Sequence, residues 1–154
     1  MGYEIERKFL VMGDAWREGA AGASMRQGYL CLGPPSSVRV RIEGSRAFLN
    51  VKQSTLAITR AEFDYPIPLA DAEAMLVSLC VGAPVVKTRY RVPYEGFMWE
   101  VDVFEGANAP LVLAEIELAS ADQAFAPPPW IGAEVSGDPR YLNTHLSVCP
   151  FSQW

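Results

Sequence analysis

The 154-residue chain has a single histidine, His145. That scarcity argues against a zinc site of the usual His/Cys kind and against a Ser-His-Asp triad. Its three cysteines, Cys31, Cys80 and Cys149, lie far apart, and no Cys-x-x-Cys pair occurs. An odd number of dispersed thiols is expected of a reduced, cytoplasmic protein. No apolar run approaches the roughly 20 residues of a membrane-spanning helix. The start of the chain is charged from Glu4 and has no apolar signal segment, so neither secretion nor a membrane anchor is expected. A net charge of -5 disfavours a generic nucleic-acid binder and a membrane-surface protein. Repeats, low-complexity tracts and boundary-marking linkers are all missing. The length suits one domain over residues 1–154, with no obligate protein partner evident.

What is present is alternation. Glu4, Glu6 and Lys8 stand at spacing two, so in a β-strand they share one face while Ile5 takes the other. Alone, this reads as a solvated strand face. The pattern recurs, however, in Arg39/Arg41, Lys52, Glu62/Asp64, Lys87/Arg89/Arg91, Glu100/Asp102 and Glu115/Glu117, each row backed by an apolar one. Turn residues separate these runs, giving about eight strands. Leu69, Ala72, Met75, Leu76 and Leu79 change to helical spacing, predicting a helix over Leu69–Val81 ended by Gly82 and Pro84. A short helix is expected over Ala119–Phe125, and a last one over about Asp138–Val148 with Pro139 in its first turn.

Two arrangements fit these rows. In a sandwich the apolar rows form the core and the charged rows face water. In an inverted barrel the charged rows line a lumen and the apolar rows lie outside. The rows hold few of the Thr, Ser and Gln residues that usually dilute an exposed strand face, and they come in same-sign pairs. Separate acidic and basic walls suit a lumen holding a polyanion with divalent cations. With so little His and Cys, ligands to such cations would be carboxylates, which suit Mg²⁺, Mn²⁺ or Ca²⁺.

Taken in order, Glu4-x-Glu6-x-Lys8, Arg26-Gln27-Gly28-Tyr29-Leu30, Arg39-Val40-Arg41, Lys52, Arg60-x-Glu62, Lys87-Thr88-Arg89-Tyr90, Glu100-x-Asp102-x-Phe104, Glu115-x-Glu117 and Tyr141-x-Asn143 resemble the CYTH superfamily, the triphosphate tunnel metalloenzymes. The likeness spans almost the whole chain and is greatest to the family's small bacterial inorganic triphosphatases. It implies a mainly β (α+β) fold: an eight-stranded antiparallel closed barrel with a charged lumen and a few flanking helices. It implies hydrolysis of inorganic tripolyphosphate to pyrophosphate and phosphate with Mg²⁺ or Mn²⁺, two ions being expected. The resemblance makes Lys8, Tyr29, Arg39, Arg41, Lys52, Lys87 and Arg89 substrate-binding. It makes Glu4, Glu6, Glu115 and Glu117 the main metal ligands, with Glu62, Glu100 and Asp102 as further ligands or as groups that position them. Glu4, Glu6, Lys8, Lys87, Glu115 and Glu117 form the candidate catalytic set.

Related alternatives are an adenylyl cyclase of the same family, another nucleoside or thiamine triphosphatase, and a non-catalytic polyphosphate-binding module. Such cyclases carry a His-Phe pair ahead of the first motif; here only Met1, Gly2 and Tyr3 precede Glu4, which favours hydrolysis. The family's end-plugging helix often bears a lysine that this chain lacks, so charge there would come from Arg140 or His145, the latter expected as a partly exposed helix residue. Arg7 and Arg91 are expected to be structural, and Arg26 to lie at a tunnel mouth or on the surface. The four tryptophans are expected to pack rather than to stack bases, and Pro127–Trp130 to brace the exterior.

Overall fold

The computed structural model describes residues 2–154. Nine strands form, all paired antiparallel: β1 (Tyr3–Val11), β2 (Gly22–Cys31), β3 (Ser36–Glu43), β4 (Arg46–Gln53), β5 (Thr59–Ile67), β6 (Val81–Tyr94), β7 (Phe97–Phe104), β8 (Val112–Glu117) and β9 (Ile131–Glu134). The spatial order is β5-β4-β3-β2-β6-β7-β8-β1-β9, and β5 also pairs with β1 through Tyr3↔Ala61, Glu4↔Arg60 and Ile5↔Thr59. That closing pair makes an eight-stranded barrel, with β9 as an added strand on the far end of β1. The edge of β1 facing this seam is therefore shared between β5 and β9. Between them it is bridged by Glu6 N–H donating to Ile58 O and Lys8 N–H donating to Ser136 Oγ.

The apolar rows point outward and are covered. Phe9, Trp99, Val101, Ala114 and Ile116 pack with Trp16, Trp130 and Phe125. Trp99 meets Phe9, Phe125 and Trp130 edge-on at 5.7, 5.7 and 5.8 Å. Each fully buried large apolar side chain contributes roughly 1.5–3 kcal/mol. Trp130, at the end of the expected Pro127–Trp130 brace, lies on the barrel exterior, and Phe125 just before it packs there too, but the helix expected over Ala119–Phe125 does not form. Ser120 Oγ donates to Asp122 at 2.7 Å, and Gln123 Oε1 accepts from Ala119 N–H at 2.6 Å. These side chains bind locally instead of capping a helix.

Helix α1 (Leu69–Ser78) lays Ala72 and Leu76 on Val40, Ile42 and Ala47 of β3 and β4. It stops three residues short of the expected Val81, which opens β6. Gly28 permits this close approach, because a Cβ there would collide with the Cys80 sulfur. The last expected helix is split. Asp138 accepts from Arg140 N–H and caps a 3-10 turn over Pro139–Tyr141, and α2 (Asn143–Val148) follows. Gly82, at φ +72, lets β6 begin against α2; a Cβ there would lie 2.6 Å from the Ser147 carbonyl oxygen.

Under α2 the inward rows change character. Two residues beyond Lys8, Lys87, Asp102 and Glu115 toward this end stand Leu10, Val85, Phe104 and Leu113. These pack with Leu111, Val135 and Leu146 of α2 into an apolar stopper. The charged section of the barrel is thus closed at one end by a small core of its own.

Candidate active site

The lumen is a cavity of about 680 Å³. Its walls carry Glu4, Glu6 and Lys8 from β1, Gln27 and Tyr29 from β2, Arg39 and Arg41 from β3, and Asn50 and Lys52 from β4. They also carry Arg60, Glu62 and Asp64 from β5, Lys87 and Arg89 from β6, Glu100 from β7, and Glu115 and Glu117 from β8. All of these alternate along their strands, so the period of two that predicts the rows also aims them inward. Every site residue expected from the sequence lines the cavity except Asp102. All three lysines of the chain lie here.

Asp102 is fully buried behind the wall. Lys87 Nζ donates to its Oδ2 at 2.6 Å, and Arg89 Nε and Nη2 donate to Oδ1 and Oδ2 at 2.7 and 2.8 Å. Arg89 also reaches Glu115 at 3.1 Å and pairs with Glu100. Lys8 Nζ lies 3.3 Å from Glu115 and donates to the Tyr141 carbonyl at 3.2 Å. Across the seam, Lys52 pairs with Glu4, and Arg60 stands 3.4 Å from Glu4 and 3.6 Å from Glu6. Asn50 Nδ2 donates to Glu62 at 2.7 Å, while Arg41 pairs with Asp64 at 3.2 Å.

These surroundings set the charges. Burial pushes the Glu6 carboxyl up to about 7, and the nearby Glu115 charge adds to the rise. Burial also raises Glu4, helped by a hydrogen bond with Glu62. Glu115 behaves oppositely. Burial works to raise it, but Lys8, Arg89, Lys87 and Lys52 outweigh that and hold it well below the usual carboxylate range. Asp102 is likewise lowered, burial being overcome by Arg89 and Lys87. Burial brings the Lys87 ammonium down to about 8 despite Asp102 beside it. Burial and the neighbouring Arg39 lower Arg41.

As a donor set, the lumen carboxylates are hard oxygens of the kind Mg²⁺ and Mn²⁺ take. Glu6 stands opposite Glu117 across the β1–β8 pairing and feels the Glu115 charge, a repulsion that a divalent cation would relieve. Among the described residues no three of these groups stand close enough to hold an ion as placed, and Glu4, Glu6, Glu62, Glu100 and Glu115 are each drawn toward a lysine, an arginine or an amide. Ion binding here requires those pairs to open.

Outside the lumen, Arg7 pairs with Glu134 at 2.6 Å, Arg26 with Glu73 of α1, and Arg91 with Glu43 at 3.0 Å. Arg140 is tied to Asp138, whereas His145 is part-buried and lines the plugged end, with its ring 6.4 Å from that of Trp154. Gln27, Asn50 and Arg60 line the lumen without having been assigned a place in it from the sequence. The signal was available: they share a face with Tyr29, Lys52 and Glu62 respectively, two residues away.

A closed antiparallel barrel whose lumen carries opposed cations and carboxylates defines a class of anion-enclosing tunnel proteins. The CYTH domain matches residues 2–142, and the chain belongs to that family. It is 46% identical over 154 residues to the inorganic triphosphatase of Acetivibrio thermocellus, covering 100% of this chain and 99% of that protein. It is 42% identical over 152 residues to the inorganic triphosphatase of Nitrosomonas europaea, covering 94% and 97% of the two chains. The crystal structure of the inorganic triphosphatase NE1496 superposes with a TM-score of 0.67 at 38% identity, covering 94% of each chain.

Proposed function

We propose that the chain hydrolyses inorganic tripolyphosphate to pyrophosphate and phosphate, using Mg²⁺ or Mn²⁺. The observation that carries this reading is the convergence of Lys8, Arg39, Arg41, Lys52, Lys87 and Arg89 on one enclosed cavity also lined by carboxylates. Two relatives named inorganic triphosphatase over nearly their full length support it.

Phosphoryl transfer depends on positioning and on neutralising charge spread over phosphate oxygens. The three arginines offer forked donors to those oxygens, and the three lysines offer point charge. Glu4, Glu6, Glu115 and Glu117 would hold the divalent ions, with Glu62 and Glu100 near them. An ion there would supply charge neutralisation and a more acidic bound water. Asp102 acts differently from a ligand. Its contacts orient Lys87 and Arg89 toward the lumen and keep their charge in a buried place. Tyr29, 4% exposed, positions the chain of phosphates from β2. The apolar stopper and α2 limit water from one end. The substrate is a small molecule, with nucleic acid, membrane and obligate protein partners outside the reading. A cytoplasmic location fits the dispersed thiols. No helix among the described residues is long and apolar enough to cross a membrane.

Offering tripolyphosphate, ATP and thiamine triphosphate to the purified protein with Mg²⁺ or Mn²⁺ tests this. Phosphate and pyrophosphate from tripolyphosphate are the expected products. Cyclic AMP with pyrophosphate from ATP would replace hydrolysis by cyclisation. Tight tripolyphosphate binding without turnover would leave a binding module.

A further inference from the structure

Gln27 has no part in the roles above. It is fully buried, on β2, in the wall of the lumen. Its cross-strand neighbours are Arg41 on β3 and Val85 on β6. Two residues along its own strand, Met25 pairs with Lys87 and Tyr29 pairs with Arg39. The carboxamide therefore sits in the middle of the basic wall, between the β3 arginines and Lys87.

The two ends of this amide are distinguishable. Its Oε1 accepts from Arg39 Nη1 at 3.5 Å. A guanidinium only donates, so the oxygen must face Arg39 and the NH₂ must point elsewhere. That NH₂ finds no acceptor among the described residues, and neither do Arg39 Nε and Arg41 Nε. A buried donor without an acceptor is costly. Three of them on neighbouring strands of one wall call for a ligand rich in acceptor oxygens and poor in donors.

We infer that Gln27 is a substrate-binding residue, its Nε2 donating to a phosphoryl oxygen of a polyphosphate lying across β6, β2 and β3 while its Oε1 steadies Arg39. The inference rests on the polyphosphate reading of the lumen. It separates Gln27 from its neighbours in one measurable respect. An amide adds a hydrogen bond but no charge, so its contribution does not respond to ionic strength as an arginine's does.

The test is steady-state hydrolysis of tripolyphosphate at saturating Mg²⁺ over a series of salt concentrations. Q27M keeps the length of the side chain and removes the donor. It is expected to lower kcat/KM by about tenfold while keeping the salt slope of the wild type. Arg39→Ala is expected to change that slope. Q27E retains the size, sets a carboxylate beside the existing Arg39 and Arg41, and turns an acceptor toward the substrate, so it should fold and fall below Q27M. Q27E carries the test should Q27M melt early. Activity of folded Q27M within about twofold of wild type would overturn the contact. So would a salt slope in Q27M shifted like that of Arg39→Ala, because Gln27 would then act only through Arg39. A wild type that neither hydrolyses nor binds tripolyphosphate would remove the functional reading along with this one.

Discussion

Glu6 and Asp102 belong to the same barrel interior, and burial pushes both carboxyls up, yet their net shifts are opposite. Glu6 has only a distant Arg60 at 3.6 Å, whereas Asp102 has three close donors. Between about pH 4.5 and about pH 7 the folded chain keeps a proton on Glu6 that the unfolded chain has lost. Stability must then fall as pH rises through that window. Glu6→Gln is expected to remove this segment of the slope. Denaturant unfolding of the chelator-treated protein at several pH values would show it, and identical slopes in both proteins would refute it. Asp102→Asn should leave Lys87 and Arg89 short of counter-charge. Breaking a buried pair costs about 3–5 kcal/mol, read as a lower denaturant midpoint, and a loss below about 1 kcal/mol would mean that Glu100 and Glu115 take over. Glu115→Gln touches the proposed ion site instead and should abolish metal-dependent turnover; a wild-type rate would refute the assignment.

Among the elements, α2 and the inward stopper decide where the charged lumen ends. Leu146 is 1% exposed and packs with Val85, Phe104, Leu111, Leu113 and Val135. Leu146→Ala should cost about 2–5 kcal/mol by the cavity it leaves. A thermal or chemical melt checks this, and an unchanged midpoint would show that α2 is only loosely seated. This end of the barrel was also the part least legible in the sequence. Alternation fixes which side chains share a face, and most of the charged rows were readable from it, although the pattern alone left open whether they line a lumen or face water. Depth along the barrel depends on the register between strands, a long-range property that no single row contains. Hence Glu100 and Asp102 look equivalent at spacing two, yet one lines the cavity and the other lies behind Lys87 and Arg89. For the same reason Leu10, Val85, Phe104 and Leu113, inward by parity, could not be recognised as a stopper. The helix expected over Ala119–Phe125 failed for a local cause: its Ser, Asp and Gln side chains bind one another and the backbone.

At the scale of the whole molecule, an exterior of net acidic character surrounds a lumen that holds many of the cations. The covered outward rows and the lined inward rows are two separate surfaces of the same strands, so the barrel can spend its apolar residues on folding and its charged ones on the site. The distribution of lysine follows from this division. Lys8, Lys52 and Lys87 all face the lumen, and the arginines supply the exterior cations, as Arg7, Arg26, Arg91 and Arg140 do. Apart from the α-amine, acylating reagents therefore meet a primary amine only inside the tunnel. Lys52 is the most accessible of the three, with 17% of its side chain exposed, and should be modified first. Tripolyphosphate should slow that modification severalfold, as read by peptide mass spectrometry; equal rates with and without it would contradict enclosure of the ligand. Amine chemistry thus becomes a footprint of lumen occupancy, and any tether, dye or cross-link attached through lysine would be a plug.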